Sequence, residues 1–147
     1  LNKKNSQGEI KKGENIFGVV FQDPTMQILF DTVQEDIEFI LSNYNVPKKE
    51  WEERIKLALD QVGMEGREKE NPLTYSGGQK QRIAIAGMLA LHPDYLIFDE
   101  ASAHLDIEGK ELFRKIVKKE ASLGRGVIIV TNDPNEFDLA DKNINLG

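Results

Sequence analysis

A chain of 147 residues is about one domain's worth and can bury a core, while a formal net charge of -6 with no basic run argues against nucleic acid as a partner. The absence of cysteine excludes disulfide scaffolds and thiolate metal sites. No stretch approaches the roughly 20 apolar residues of a membrane span and no signal peptide is visible, so any work at a membrane would be done by docking.

Residues 1–15 are lysine-rich and polar and read as a loop or the severed end of a larger core. Residues 16–23 carry an apolar strand, Val19-Val20-Phe21, that runs into Gln22. From 24 to 75 a helical subdomain is expected. Thr32 and Glu35 have the spacing of a capping box, and Val33, Ile37, Ile40 and Leu41 then form an apolar stripe. Pro47 suits the first turn of a second helix, in which Trp51, Ile55, Ala58, Leu59 and Val62 recur at helical spacing before Gly63 marks the stop. These stripes read as core packing rather than a ligand box. Residues 76–147 alternate helix and strand, the sign of an α/β layer. A helix opens at Ser76, carries Ile83, Ala84, Ala86, Gly87 and Ala90 for close packing, and ends at His92-Pro93.

Two segments carry chemistry. In Tyr75-Ser76-Gly77-Gly78-Gln79-Lys80-Gln81-Arg82, two glycines follow a capping serine at a helix start. Taken alone this is either an ordinary capped loop or a seat for a phosphate, since a helix start presents unpaired N–H groups with partial positive charge. Lys80 and Arg82 are either solvated charge or a source of positive potential for that phosphate. The second segment, Tyr95-Leu96-Ile97-Phe98-Asp99-Glu100, is an apolar run ending in two carboxylates. The run reads as a strand buried on both faces of a parallel sheet, with Asp99 and Glu100 beyond its carboxyl end, where ligands of such sheets sit. One carboxylate there can hold a hydrated Mg2+ and its neighbour can polarise a water. The bland alternative is a strand followed by an acidic turn.

Together these segments resemble the ATP-binding domain of ABC-type ATPases, with Ser76-Gly77-Gly78-Gln79 as the signature motif and Asp99-Glu100 closing Walker B. Three further segments match in order. Gln22 looks like the Q-loop glutamine, Ser102-Ala103-His104-Leu105-Asp106 like the D-loop, and Val127-Ile128-Ile129-Val130-Thr131-Asn132-Asp133 like the strand that ends at the switch position. The resemblance implies an α/β fold, a partial P-loop NTPase-type parallel sheet with an inserted ABC-type helical subdomain. It implies ATP and Mg2+ as cofactors, Glu100 as general base or water-polarising residue, and Asn132 at the switch position. Asp99 and Gln22 would act at the metal. Ser76, Gly77, Gly78 and Gln79 would close over ATP held by a second ABC ATPase subunit in a head-to-tail dimer, with Asp106 at that interface. His104 receives no role. A transmembrane coupling subunit is the implied membrane partner, and the implied location is peripheral, on the cytoplasmic face of the cell membrane.

Two departures accompany the matches. Gly8 and Gly13 have the glycine spacing of a Walker A phosphate loop, but Glu14 and Asn15 stand where lysine and Ser/Thr are required. A genuine Walker A would therefore be expected upstream of Leu1, and this chain alone would bind nucleotide weakly or not at all. At the switch position, Asn132 stands where the family usually has histidine; it donates a hydrogen bond but cannot carry charge or shuttle a proton. Either this is neutral variation or it slows turnover. The second glutamine in Phe21-Gln22-Asp23-Pro24-Thr25-Met26-Gln27, with Ser76 to Gly87, looks most like the energy-coupling-factor importers of cobalt, nickel or vitamins. Two alternatives remain at this stage: a non-transport ABC ATPase, and a non-catalytic or degenerate interaction module. In the family's sheet a later strand corresponds to Asn143 to Leu146, and a sheet lacking its Walker A strand is expected to leave apolar surface open and to self-associate.

Overall fold

The computed structural model describes residues 15–145, so the Gly8 to Glu14 reading lies outside them. Three parallel strands lie side by side in chain order: β1 (Phe17–Val20), β2 (Tyr95–Asp99) and β3 (Gly126–Val130). Helices α1 (Val33–Asn43), α2 (Trp51–Gln61) and α3 (Gly77–Ala90) fill the crossover from β1 to β2, and α4 (Ile107–Ser122) fills that from β2 to β3. Parallel neighbours require such crossovers, and two right-handed ones stepping the same way put their helices on one face of the sheet.

That face is set by register. Gly18, Leu96 and Val127 align across the strands, as do Val20, Phe98 and Ile129. A Cβ on Gly18 would lie 3.2 Å from Cβ of Met88, so β1 and α3 approach closely there. Phe98 meets Phe113 of α4 edge-on at 5.0 Å. Val20, Leu96 and Phe98 are fully buried as a result.

The expectation of a strand buried on both faces is not met. Tyr95 is 38% exposed, and Ile128 and Val130 on the same side of β3 are 50% and 44% exposed. Both crossovers stack their helices on one side, and no described helix packs on the other. A short apolar run cannot report this difference, because it reads alike whether one face or two are covered. Residues 143–145 form no strand, contrary to expectation; a strand needs a ladder beside it, and none of the described ones is next to this segment.

The helical crossover follows its local signals closely. The Thr32 hydroxyl accepts from the Glu35 N–H at 3.2 Å and donates to the Glu35 carboxylate at 2.9 Å, so the Glu35 side chain accepts from the hydroxyl instead of reaching back to the Thr32 N–H. Val33, Ile37 and Leu41 of α1 and Leu59 and Val62 at the end of α2 are fully buried. Gly63, at φ +67°, stops α2. Pro47 sits earlier than expected: it precedes a 3-10 turn, Lys48–Glu50, from which α2 continues. No described helix is long and apolar enough to cross a membrane.

Ile128 and Val130, about half exposed on this face, predict self-association of the chain. Sedimentation across a wide concentration range is expected to show reversible self-association, and Ile128→Lys should shift it toward monomer; a clean monomer at every concentration would contradict this.

Candidate functional site

The carboxyl ends of the strands place four of the nominated residues along one edge. Gln22 follows β1 by two residues, Asp99 closes β2, and Asn132 follows β3 by two. Glu100 turns away from the strand in a left-handed conformation, φ +51°, and its N–H donates to the Val130 carbonyl at 2.8 Å. Its Oε1 accepts from Asn132 Nδ2 at 2.5 Å, so the structure brings the nominated base and the switch position into direct contact. Asp99 and Gln22 are exposed, and neither side chain is engaged in a hydrogen bond or ion pair among the described residues. No cluster of three or more acidic or histidine ligands exists among the described residues. One free carboxylate and one free amide fit a Mg2+ that keeps waters and phosphate oxygens in its shell, and do not fit a cation needing an all-protein cage.

The signature residues stand apart from this edge. Ser76, Gly77, Gly78 and Gln79 line an open cleft of about 590 Å3 with Gly63, Met64, Arg67, Arg82, His104 and Asp106. None of Gln22, Asp99, Glu100 or Asn132 lines it. Ser76 and Gln79 form a full capping box: the Ser76 hydroxyl accepts from the Gln79 N–H at 3.3 Å, and the Gln79 carbonyl Oε1 accepts from the Ser76 N–H at 3.0 Å. The Gln79 side chain, nominated for nucleotide, is thus engaged in holding the helix start. Gly78 is required by close approach, since a Cβ there would lie 3.1 Å from the backbone carbonyl of His104. His104, given no role from the sequence, therefore forms one wall of the cleft.

Asp106 has a local duty as well. It caps α4, accepting from the Gly109 N–H at 2.7 Å, and takes a 3.5 Å ion pair from Arg82. The Arg82 side chain is only 17% exposed, so of the two readings for this residue solvated charge is excluded. The Asp23 carboxylate accepts from the Thr25 hydroxyl at 2.6 Å and the Thr25 N–H at 2.9 Å, which hold its pKa below the ordinary range, and His104 and Lys80 add to this. Three residues that hold the loops were not singled out as such from the sequence: Gln27, Gln81 and Arg82. For Gln81 the one available signal was a polar residue inside an otherwise small and apolar helix.

The segment after β3 is fastened from α4. Asp133 accepts from Lys110 Nζ at 2.8 Å and from the Asn135 N–H at 3.0 Å. These bonds depress its pKa to about 2, Lys110 contributing most. A depressed carboxylate stabilises the fold at pH values above its unfolded pKa, and that contribution is lost as pH falls toward 2.

Known proteins resemble this chain in sequence and in fold. A family model described as ABC transporter matches residues 1–103. The energy-coupling factor transporter ATP-binding protein EcfA1 of Oenococcus oeni is 43% identical over 126 residues, 85% of this chain and 46% of that protein. The EcfA protein of Methanocaldococcus jannaschii is 44% identical over 130 residues, 88% and 46% of the two chains. Among solved structures, cbiO1 from Clostridium perfringens, part of the ABC transporter complex cbiONQ, superposes with a TM-score of 0.69 at 38% identity, covering 80% of this chain and 47% of that one. The dimeric bacterial ABC transporter cassette MJ0796 gives a TM-score of 0.74 at 28% identity, covering 86% and 56%. The chain belongs to the ABC transporter family and has the P-loop NTPase-type fold of its ATPase cassettes. It spans about half the length of the curated relatives it matches.

Replacing Lys110 with methionine is expected to raise the Asp133 pKa from about 2 toward the ordinary carboxylate value. An NMR titration of the Asp133 carboxyl carbon measures it; an unchanged midpoint would mean that the Lys110 contact does not persist in solution.

Proposed function

We propose that this chain is the signature-bearing part of an ATP-hydrolysing subunit of an ABC importer of the energy-coupling-factor type. The carrying observation is the Glu100–Asn132 contact at the carboxyl edge of the parallel sheet, with Asp99 and Gln22 free beside it. In this reading Glu100 orients a water and accepts its proton as the water attacks phosphorus. Asn132 holds one oxygen of that carboxylate by an N–H donor, leaving the other to face the water. Asp99 and Gln22 would hold Mg2+, which when bound neutralises charge on the phosphates.

The signature cleft serves a different nucleotide. Because Ser76 to Gln79 line a cleft that lacks Glu100 and Asp99, their phosphate would arrive on a second ATPase subunit, head to tail, with Asp106 beside the contact. In this reading α1 and α2 dock on a transmembrane coupling subunit at the cytoplasmic face of the membrane, with a metal ion or vitamin as cargo; the relatives named for energy-coupling factor transport support the ATP-binding role in such a transporter. The cbiONQ complex of the Clostridium perfringens neighbour supports the same assembly. A net charge of -6 supports a protein rather than a nucleic-acid partner.

One observation favours a second reading, an ATP-binding but non-hydrolysing subunit: Asn132 cannot take part in proton transfer. Kinetics of the full-length protein with its partners separate the two. Under the first reading Glu100→Gln lowers ATP hydrolysis by about 100-fold or more, as expected for losing a positioned base. Equal rates in Glu100→Gln and the unsubstituted protein would remove Glu100 from the reaction.

The switch position gives a pH test. Asn132→His is expected to raise hydrolysis and to introduce a limb in the pH–rate profile near pH ~6.5, which the asparagine protein lacks. An unchanged rate and profile would show that Asn132 is a neutral substitution.

A further inference from the structure

The second turn of α3 holds a side chain that none of these roles uses. Gln81 is fully buried, at 0% exposure. Its Nε2 donates to the carbonyl of Phe21 at 3.0 Å, across 60 residues of sequence, while its Oε1 has no partner among the described residues. Leaving a buried polar atom unpaired is unfavourable, so a leucine or methionine of similar volume would pack at least as well. Packing therefore does not explain a glutamine here; the bond to Phe21 does.

That bond acts at a particular place. The Phe21 carbonyl belongs to the planar peptide unit whose N–H is that of Gln22. Fixing the carbonyl fixes the plane, and with it the direction in which Gln22 leaves the sheet. The two preceding peptides are held by Gln27: its Oε1 accepts from the Phe21 N–H at 3.1 Å, and its Nε2 donates to the Val19 carbonyl at 2.9 Å. Side-chain amides thus continue the hydrogen bonding of β1 past its last residue. Burial does not supply this restraint, because the Phe21 ring is 42% exposed and Gln22 is exposed.

We infer that Gln81 is a positioning residue that ties the Phe21–Gln22 peptide to α3, so that Gln22 and the signature segment move as one piece. The functional half of this rests on the ATPase reading, in which Gln22 acts at the nucleotide site; the structural half does not. One helix start then carries the signature cleft at its first turn and the Q-loop tether at its second.

Gln81→Met keeps the side-chain volume and removes the bond. Amide hydrogen exchange of this chain should then accelerate by about tenfold or more at the Phe21 N–H, which Gln27 holds, while Ile83 to Ala90 keep their protection, the pattern of local rather than global opening. In the full-length protein, kcat for ATP hydrolysis should fall about 5–10-fold with KM for ATP held within about twofold, since Gln22 would act on metal or water and not on nucleotide affinity. Exchange at the Phe21 N–H equal to that of the unsubstituted chain overturns the tether; accelerated exchange with unchanged kcat overturns its role in the reaction. A full-length protein without ATPase activity overturns the ATPase reading and leaves the exchange result to decide the tether. If Gln81→Met fails to fold, the unsubstituted chain answers by NMR: the Gln81 Nε2 protons should exchange slowly, and exchange at the rate of a solvent-exposed amide overturns the proposal.

Discussion

Burial of one helix on nearly every side is the constraint on which the rest of this structure depends. Ile83, Ala84, Ile85, Ala86, Leu89 and Ala90 of α3 are each no more than 4% exposed. A helix apolar all round has no solvent face to choose, so its neighbours must close around it. Here α1 and α2 pack on it from the helical crossover, and β1 packs on it from the sheet. The small residues along α3 let these neighbours approach, and the Ser76–Gln79 capping box fixes where the helix begins. Because α3 is shared by the helical crossover and the sheet, its first two turns have a defined position relative to both. Those turns carry the signature cleft, the Arg82–Asp106 pair and the Gln81–Phe21 bond.

Much of this was legible because it is written in local chemistry. The caps at Thr32 and Ser76, the stop at Gly63 and the apolar stripes of α1 and α2 each depend on residues within a turn or two of one another. The ordered motifs likewise placed Gln22, Asp99 and Asn132 at strand ends. What escaped the sequence is what depends on long-range placement. The run Tyr95–Phe98 is equally apolar whether one or two faces are covered, and only the common side of α3 and α4 shows that Tyr95 faces outward. Gln79 reads as a ligand or as a cap from the same spacing. Arg82 reads as a surface charge until Asp106, 24 residues on, is seen beside it. Gln81 and Phe21 are 60 residues apart, and no periodicity connects them.

The separation of the two groups of polar residues follows from the same architecture. Strand ends gather Gln22, Asp99, Glu100 and Asn132 on one edge, because a parallel sheet brings all its carboxyl ends together. The signature residues come instead from the start of a crossover helix and the loop before α4, so they line a separate cleft. Each group would be chemically incomplete for holding and hydrolysing a nucleotide: the edge has two carboxylates and two side-chain amides, and the cleft has glycines and a helix start. Complementary incompleteness of this kind is what a head-to-tail pair of subunits would resolve.

Glu100 shows how the edge is held. A non-glycine residue at φ +51° is conformationally unfavourable by about 1–3 kcal/mol, and such strain persists only where the surroundings over-determine it. Two bonds do so here, one from the Glu100 N–H to the Val130 carbonyl and one from Asn132 to the carboxylate. Both partners lie on β3 or just beyond it, and that segment is in turn fastened to α4 through Lys110 and Asp133. The orientation of the Glu100 carboxylate is therefore set by the docking of β3 rather than by β2, the strand that carries it. An asparagine does this work without adding charge, so the carboxylate is oriented by a neutral donor. An imidazole in the same place would add a titration of its own. The residue at position 132 thus decides whether the Glu100 carboxylate is merely oriented or is also electrostatically coupled to its neighbour.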